Sequence, residues 1–542
     1  MESEVDRWTL AVGQGLFHYE EIRLSGESRP ITIIYDAGTF NKSGHHTVAG
    51  TSVNLVIQRL RKYSRSCLDY LVLSHYHLDH FSLINKIVTH IRVNHFIAPL
   101  LTPDENFFEI LSTVISWREA DDELLRAVEV VDLAQGFLSE GTKGFVHSLF
   151  KNHDDNYYYY DKYYSKKPPT ISEQEEPPVH HNEPEYLFIT KENGTIDYDN
   201  TLFHEFSDQN NDSLESPETS DATLASDTTP IVIREAPHQM EVWTLAFYYY
   251  KRNTNNTKLT LQDYSKIEED INNIEKNSNN NSATSFKEVI DNFLYTTLQI
   301  PKHPKKAKDK KLKEIFGDSD MNMTSLCMYS GPYHFVSFIV SKTLNDVKVE
   351  YDVHDHARYD KVRYRNDNFF NLSKLVSTYR GSSFKMPNGE RNSSLRIKLK
   401  ETEQSKELRE EKLKYIYDSC QHYIPDMEKR NYARGSHWAW LGLGDINFSK
   451  KVASDFISHF DKLLDYVGCC IAPHHGSYNG FQTSAVPKKL SSAICIISCD
   501  PYFKNYGHPH SQALQSIIES GMIPIIVDKR IGATFHESLV WY

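Results

Sequence analysis

The sequence predicts an α/β fold, and three observations carry that prediction. Short apolar runs bounded by charge or glycine recur along the chain, at 8–12, 31–38, 68–73, 93–98 and 240–250, as buried strands do. Stretches with apolar residues at helical spacing follow several of them, at 49–63, 81–88 and 511–519. Polar residues able to do chemistry collect where the apolar runs end.

Taken in order, the run 8–12 turns at Gly13-Gln14-Gly15, and the run 31–38 carries an acid, Asp36, near its end. After the helix over 49–63 comes the strand 68–73, and directly behind it Ser74-His75-Tyr76-His77-Leu78-Asp79-His80. Three imidazoles and a carboxylate thus sit on an expected strand-to-helix loop. Neutral nitrogen donors with one anionic oxygen suit zinc, or manganese and iron where more carboxylates join. Four donors within six residues, placed behind a strand, leave little room for a chance histidine-rich loop.

From 101 to 145 the patterning is mixed and helical, and from about 146 to 230 the composition changes. Tyr157-Tyr158-Tyr159-Tyr160, the pairs Pro168-Pro169 and Pro177-Pro178 and a Ser/Thr/Asp/Glu-rich run cannot supply a core alone, so 146–230 reads as an insertion, partly loop. Those tyrosines suit a surface hairpin or partner contact as well as base stacking. Beyond the strand 240–250, the stretch 253–282 is polar and 286–298 is an amphipathic helix. The dense basic cluster 302–313, with Lys305, Lys306, Lys310 and Lys311, is either a solvated helix face or a phosphate-backbone contact. A second, charged insertion spans 341–435, its part 401–429 reading as a helix that serves as lid or oligomer arm. The chain then divides as 1–145, 146–230, 231–340, 341–435 and 436–542, the first, third and fifth parts forming the core.

Three further strand ends offer donors: Leu443-Gly444-Asp445, Pro473-His474-His475-Gly476-Ser477, and Tyr506-Gly507-His508-Pro509-His510 ahead of the helix 511–519 and a strand 523–527. Glycine before Asp445 allows close approach to a metal. The formal net charge of -13 disfavours nucleic acid over the surface as a whole, so a nucleic-acid substrate needs a local basic patch. Seven scattered cysteines without zinc-ribbon spacing read as reduced thiols of a cytoplasmic protein. The acidic start lacks the pattern of a signal peptide, and no stretch approaches the roughly 20 apolar residues of a membrane span.

The motif His75-x-His77-x-Asp79-His80 resembles that of the metallo-β-lactamase superfamily, which implies an αββα sandwich carrying two large insertions. The resemblance implies two divalent ions, zinc or manganese, with His75 and His77 on one and Asp79 and His80 on the other. It further implies that Asp445 bridges them and that Asp36 orients a ligand histidine from behind; one of His474 and His475 should complete the second site, His475 being favoured with His474 facing substrate. The ordered set from Gly13-Gln14-Gly15 to His508-Pro509-His510 resembles the ComEC-type branch, the hydrolase domain of bacterial DNA-uptake channels and its soluble relatives. That branch replaces a ligand histidine with an Asn/Ser element, matched here by Asn322 and Ser325, and less well by Asn392-Ser393-Ser394. The closing stretch from Gly521 to Phe535 resembles its C-terminal strand pair. One departure is that about a hundred residues separate the Asn/Ser strand from Gly444-Asp445, which requires the two strands to pair across an insertion.

These expectations point to a phosphodiester hydrolase using a bridging hydroxide, with Asp79 orienting it and His474 or His508 acting on the substrate oxygens. Ser477, Tyr506, His510 and the four lysines would touch substrate. DNA is the expected substrate, with an antiviral defence role by analogy alone. A small phosphodiester or cyclic nucleotide is the alternative favoured by the net negative charge. A third reading is an interaction protein with a vestigial metal site, working through its insertions.

Overall fold

The computed structural model describes residues 3–24, 29–41, 47–62, 67–102, 105, 142–150, 184–192, 194–206, 222–235, 240–251, 295, 299, 324–332, 363–365, 439–481, 483–491, 493–501, 508–529 and 533–541. The first half supplies strands β1 (Ser3–Thr9), β2 (Phe17–Arg23), β3 (Ile31–Ala37), β4 (Cys67–Val72), β5 (Arg92–Pro99) and β6 (Glu185–Thr190). Next come β7 (Leu202–Phe206), β8 (Thr223–Ser226), β9 (Ile231–Glu235), β10 (Met240–Lys251), β11 (Thr324–Pro332) and β12 (Arg363–Arg365). The last are β13 (Ala439–Gly442), β14 (Val467–Ile471), β15 (Ile494–Ser498), β16 (Ile523–Val527) and β17 (Phe535–Trp541). They form two sheets, ordered β12-β17-β1-β2-β3-β4-β5-β6-β8 and β16-β15-β14-β13-β11-β10-β9-β7.

Three apolar layers make this an αββα sandwich. The middle layer lies between the sheets and holds Ile33, Tyr35, Trp243, Phe247, Trp440 and Ile496. Burying each such side chain contributes roughly 1.5–3 kcal/mol. Outside the first sheet, helix α1 (Val48–Lys62) lays Val53, Val56, Ile57 and Leu60, spaced for one helical face, onto Ile34, Leu68 and Leu71. Two short helices, α2 (Leu78–Phe81) and α3 (Ile84–Val88), and α4 (Thr142–Phe150) complete that layer. Outside the second sheet, α5 (Lys450–Phe460) and α7 (Ser511–Glu519) cover Cys470, Cys495 and Ile497, with the short α6 (Ala485–Lys489) beside them. Strand β3 shows the logic: Ile31, Ile33 and Tyr35 enter the middle layer while Ile34 faces the helices. Asp36, at φ 55°, breaks the alternation and puts Ala37 on the helix side.

The helix expected over 49–63 and the strands expected at 31–38, 68–73 and 93–98 are present, and β16 has the expected bounds. The first strand runs earlier than expected, and β2 went unread. Both differences have one cause: these strands bury charge. Arg7, 1% exposed, donates to Glu20 at 2.8 Å and to Glu537 at 3.2 Å between the sheets. Glu21, fully buried, takes Arg59 at 2.6 Å. The paired charges are what let polar stretches lie inside, and they hide the period-2 pattern. Within 146–230, three strands join the sheets: β6 pairs with β5 and β8 with β6, both parallel, while β7 pairs with β9. Strand β11 pairs antiparallel with β13 across the intervening hundred residues, Tyr329 opposite Leu441. The closing strands do not pair with each other: β16 edges the second sheet and β17 lies between β12 and β1 in the first. The tyrosine run 157–160, the basic cluster with Lys305, Lys306, Lys310 and Lys311, the helix 401–429, and residues Asn322, Asn392 and Tyr506 lie outside the described residues. The helix 286–298 does too, apart from Tyr295.

Candidate metal centre

The candidate site lies where parallel strands of both sheets reach their carboxyl ends. Strands β3, β4 and β5 run parallel in one sheet, and β13, β14 and β15 in the other. His75 and His77 follow β4 on a loop, while Asp79 and His80 already belong to α2, so the motif spans loop and first helical turn. Asp445 follows β13, and His475 follows β14 in a 3-10 turn, Pro473–Gly476.

Local backbone conformation aims these donors. Gly444 has φ 51°, and a Cβ there would meet Ser325 Oγ at 2.1 Å, so only glycine lets the turn close. Ser325 Oγ in turn accepts the Asp445 N–H at 3.0 Å, and the Leu326 N–H donates to Ser74 O at 2.7 Å. A Cβ on Gly38 would lie 2.3 Å from the Asp79–His80 backbone, so β3 can pack directly against the donor helix. His474 and His475 both adopt left-handed conformations, φ 49° and 53°, a strain of the kind stored at functional sites.

Seen from the side chains, five donors converge. His80 Nε2 lies 3.2 Å from His475 Nε2 and 3.2 Å from Asp445 Oδ1. His475 Nε2 lies 3.0 Å from Asp79 Oδ2, and His75 Nε2 is 3.5 Å from Asp445 Oδ2. Two overlapping sets result, His75–His80–Asp445 and Asp79–His80–His475, all buried. The His77 ring stands edge-on to His75 at 4.6 Å. The division expected from the resemblance put His80 in one set only; here it belongs to both.

The far ring nitrogens decide what the near ones offer. Asp36 Oδ2 faces His80 Nδ1 at 2.8 Å, and Ser498 O faces His475 Nδ1 at 2.8 Å. Ser74 Oγ donates to Asp36 Oδ2 at 2.6 Å and so accepts from His75 Nδ1 at 2.9 Å. With all three protons on Nδ1, three Nε2 lone pairs and two carboxylates face one another. That arrangement calls for added positive charge. Burial alone would lower His80, but Asp445, Asp36 and Asp79 outweigh it and hold it well above the usual imidazole range. His475 is likewise raised against burial by Asp79 and Asp445. Burial alone would raise Asp79 and Asp445, and the surrounding imidazoles hold both below the usual carboxylate range. Burial, with His75 beside it, pushes His77 down to about 3. Extra protons leave His75 Nε2, Asp79 Oδ1 and Asp445 Oδ1 buried without a hydrogen bond. A metal ion satisfies such atoms, so the residues present fit one.

At the edge of the cluster His474, with 20% of its side chain exposed, is 3.7 Å from Asp445 Oδ2. The buried His508 ring lies 5.7 Å from that of His474 and 6.4 Å from that of His475. Burial, with both histidines adding to it, holds His508 well below the usual imidazole range, so its ring is neutral. Ser477 Oγ accepts the Gly480 N–H at 3.2 Å, and His510 Nδ1 accepts the Gln512 N–H at 3.3 Å as the cap of α7. Sequence reading passed over Ser74 and Ser498, which fix ring orientation, and Tyr478, 55% exposed beside the histidine turn. Among the described residues no helix is long and apolar enough to cross a membrane.

A family model described as Metallo-beta-lactamase superfamily matches residues 32–160, from β3 through the donor motif. Asp445 and His475 lie beyond the matched stretch. No curated protein matches the chain.

Proposed function

We propose that this chain, which carries a metallo-β-lactamase superfamily domain, is a metal-dependent phosphodiester hydrolase acting on DNA. The observation that carries the hydrolase reading is the convergence of His75, His80 and Asp445, and of Asp79, His80 and His475, on two overlapping buried donor sets. When bound there, divalent metal lowers the pKa of water toward neutrality and offsets phosphodiester charge. His75, His80, Asp445, Asp79 and His475 would hold it, with His77 adjoining. Asp36, Ser74 and Ser498 keep the imidazole Nε2 atoms turned inward. His474, the partly open imidazole, is placed to meet a substrate oxygen, and the neutral His508 behind it can accept or pass a proton. The choice of DNA follows the ordered motifs shared with the ComEC-type branch, and the role in bacterial defence is analogy.

The test is cleavage of circular plasmid in manganese or zinc, beside an Asp79→Ala/His80→Ala double variant. Nicking or linearisation by the wild type alone supports a DNA endonuclease. An intact plasmid, with hydrolysis of a generic phosphodiester retained, moves the substrate to a small phosphodiester. That second reading draws on the net charge of -13, which repels a polyanion.

A further inference from the structure

Tyr478 stands out among the aromatic residues near the donors. The residue is 55% exposed, whereas Tyr35, Tyr76 and Trp440 nearby in the fold are fully buried. The other large apolar side chains exposed among the described residues, Leu55, Phe203 and Leu224, sit on α1, β7 and β8, away from the donor loops. Tyr478 follows His475 by three residues, so the two Cα atoms are at most about 11 Å apart.

The ring is also held in place. It meets the His510 ring at 5.2 Å and 68°, and His510 is fixed twice over. Its imidazole accepts the Gln512 N–H, and its backbone N–H donates to Gly476 O at 2.7 Å. The turn that carries Tyr478 is closed by Ser477 N to His474 O at 2.8 Å and Gly480 N to Ser477 O at 3.2 Å. A donor loop, a helix cap and an exposed aromatic ring are therefore tied together, and His474 in that loop stands beside His508. Ordering a tyrosine in water gains little for the fold. A fixed, wet aromatic face beside a phosphodiester site suits another planar ring, since every nucleobase offers a π-face.

We propose that Tyr478, backed by His510, is the face on which a nucleobase adjoining the scissile phosphodiester stacks, making nucleotide phosphodiesters the substrate class. This rests on the phosphodiesterase reading above and goes further in naming what flanks the phosphate.

The test compares two substrates of the metal-loaded full chain: the 4-nitrophenyl ester of thymidine 5′-monophosphate, and the same ester on an abasic deoxyribose. In Tyr478→Ala, KM for the thymidine ester rises about tenfold, in line with the loss of one stacked base, with kcat changed far less. Tyr478→Phe restores the wild-type KM, and the abasic ester has the same KM with all three proteins. Equal effects on both esters, or none on the thymidine ester, overturn the proposal. Should neither ester be hydrolysed and circular plasmid stay intact, the phosphodiesterase reading fails by itself. Calorimetric binding of the thymidine and abasic esters to the same three proteins then decides the stacking face by the same comparison. Unchanged metal content and melting temperature in Tyr478→Ala confirm that the fold is intact.

Discussion

A single carboxylate, Asp36, gathers the Ser74 N–H at 2.7 Å, the Ser74 hydroxyl and the His80 ring nitrogen, all on one residue in the left-handed region. Asp36→Asn keeps the shape but replaces one accepting oxygen by a donor, which turns the His80 tautomer round or breaks the bond. Outer partners of this kind are worth about 10–100-fold in metal affinity, so a zinc titration with a competing chelator should show a loss of that size with little change in fold. The candidate metal-ligating residue types were readable from sequence because histidine and aspartate crowd into His75–His80 and recur at strand ends. Ser74 and Ser498 were not: serine is common everywhere, and Ser498 contributes through its backbone carbonyl, which no side-chain pattern reports.

The elements that aim the donors are short, and their turns carry the precision. Between β13 and Asp445, the Gly444 turn has room for no side chain beside Ser325. Gly444→Ala should cost about 1–3 kcal/mol from strained backbone and close contact, seen as a lower denaturation midpoint in urea. It should also weaken metal binding, because the Asp445 N–H to Ser325 bond must shift. A variant with native metal affinity would show that Asp445 is placed by something other than this turn. At this scale the buried parallel strands were legible because both faces are apolar, as in β16, whose five residues are all buried. Strands β1 and β2 were not, since Arg7, Glu20 and Glu21 reverse the expected polarity and make sense only once Arg59 and Glu537 are beside them.

Across the whole molecule, the two sheets meet at several polar seams as well as through the apolar middle layer. One joins β4, β5 and β6 of the first sheet to β7 of the second. His204 stacks on His95 at 4.5 Å and on Tyr70 at 5.7 Å, and faces the Tyr70 hydroxyl at 3.2 Å. Burial, with His95 beside it, pushes His204 down to about 4. The unfolded chain then takes up this proton near pH 6.5 while the folded chain resists it, so the contribution is complete above 6.5 and is lost as pH falls toward about 4. His204→Phe keeps an aromatic ring at the seam without the titration. Denaturation at pH 7 and 4.5 should show the wild type losing on the order of 1–3 kcal/mol more than the variant over that interval. Equal losses would place the acid sensitivity elsewhere. The sandwich itself followed from motif order, but its width did not: β6, β7 and β8 come from a stretch whose composition reads as an insertion, partly loop.

The wide separation of the donors along the chain bears on how the protein is made. His75 to His80 leave the ribosome roughly 365 residues before Asp445, a delay on the order of half a minute at typical synthesis rates. Through that interval the nascent loop has only part of its ligand set, and β1 has no β17 beside it. A complete candidate place for an ion therefore exists only once Asp445 and His475 have been made, and a product truncated in the middle of the message would have half a sandwich and no such place.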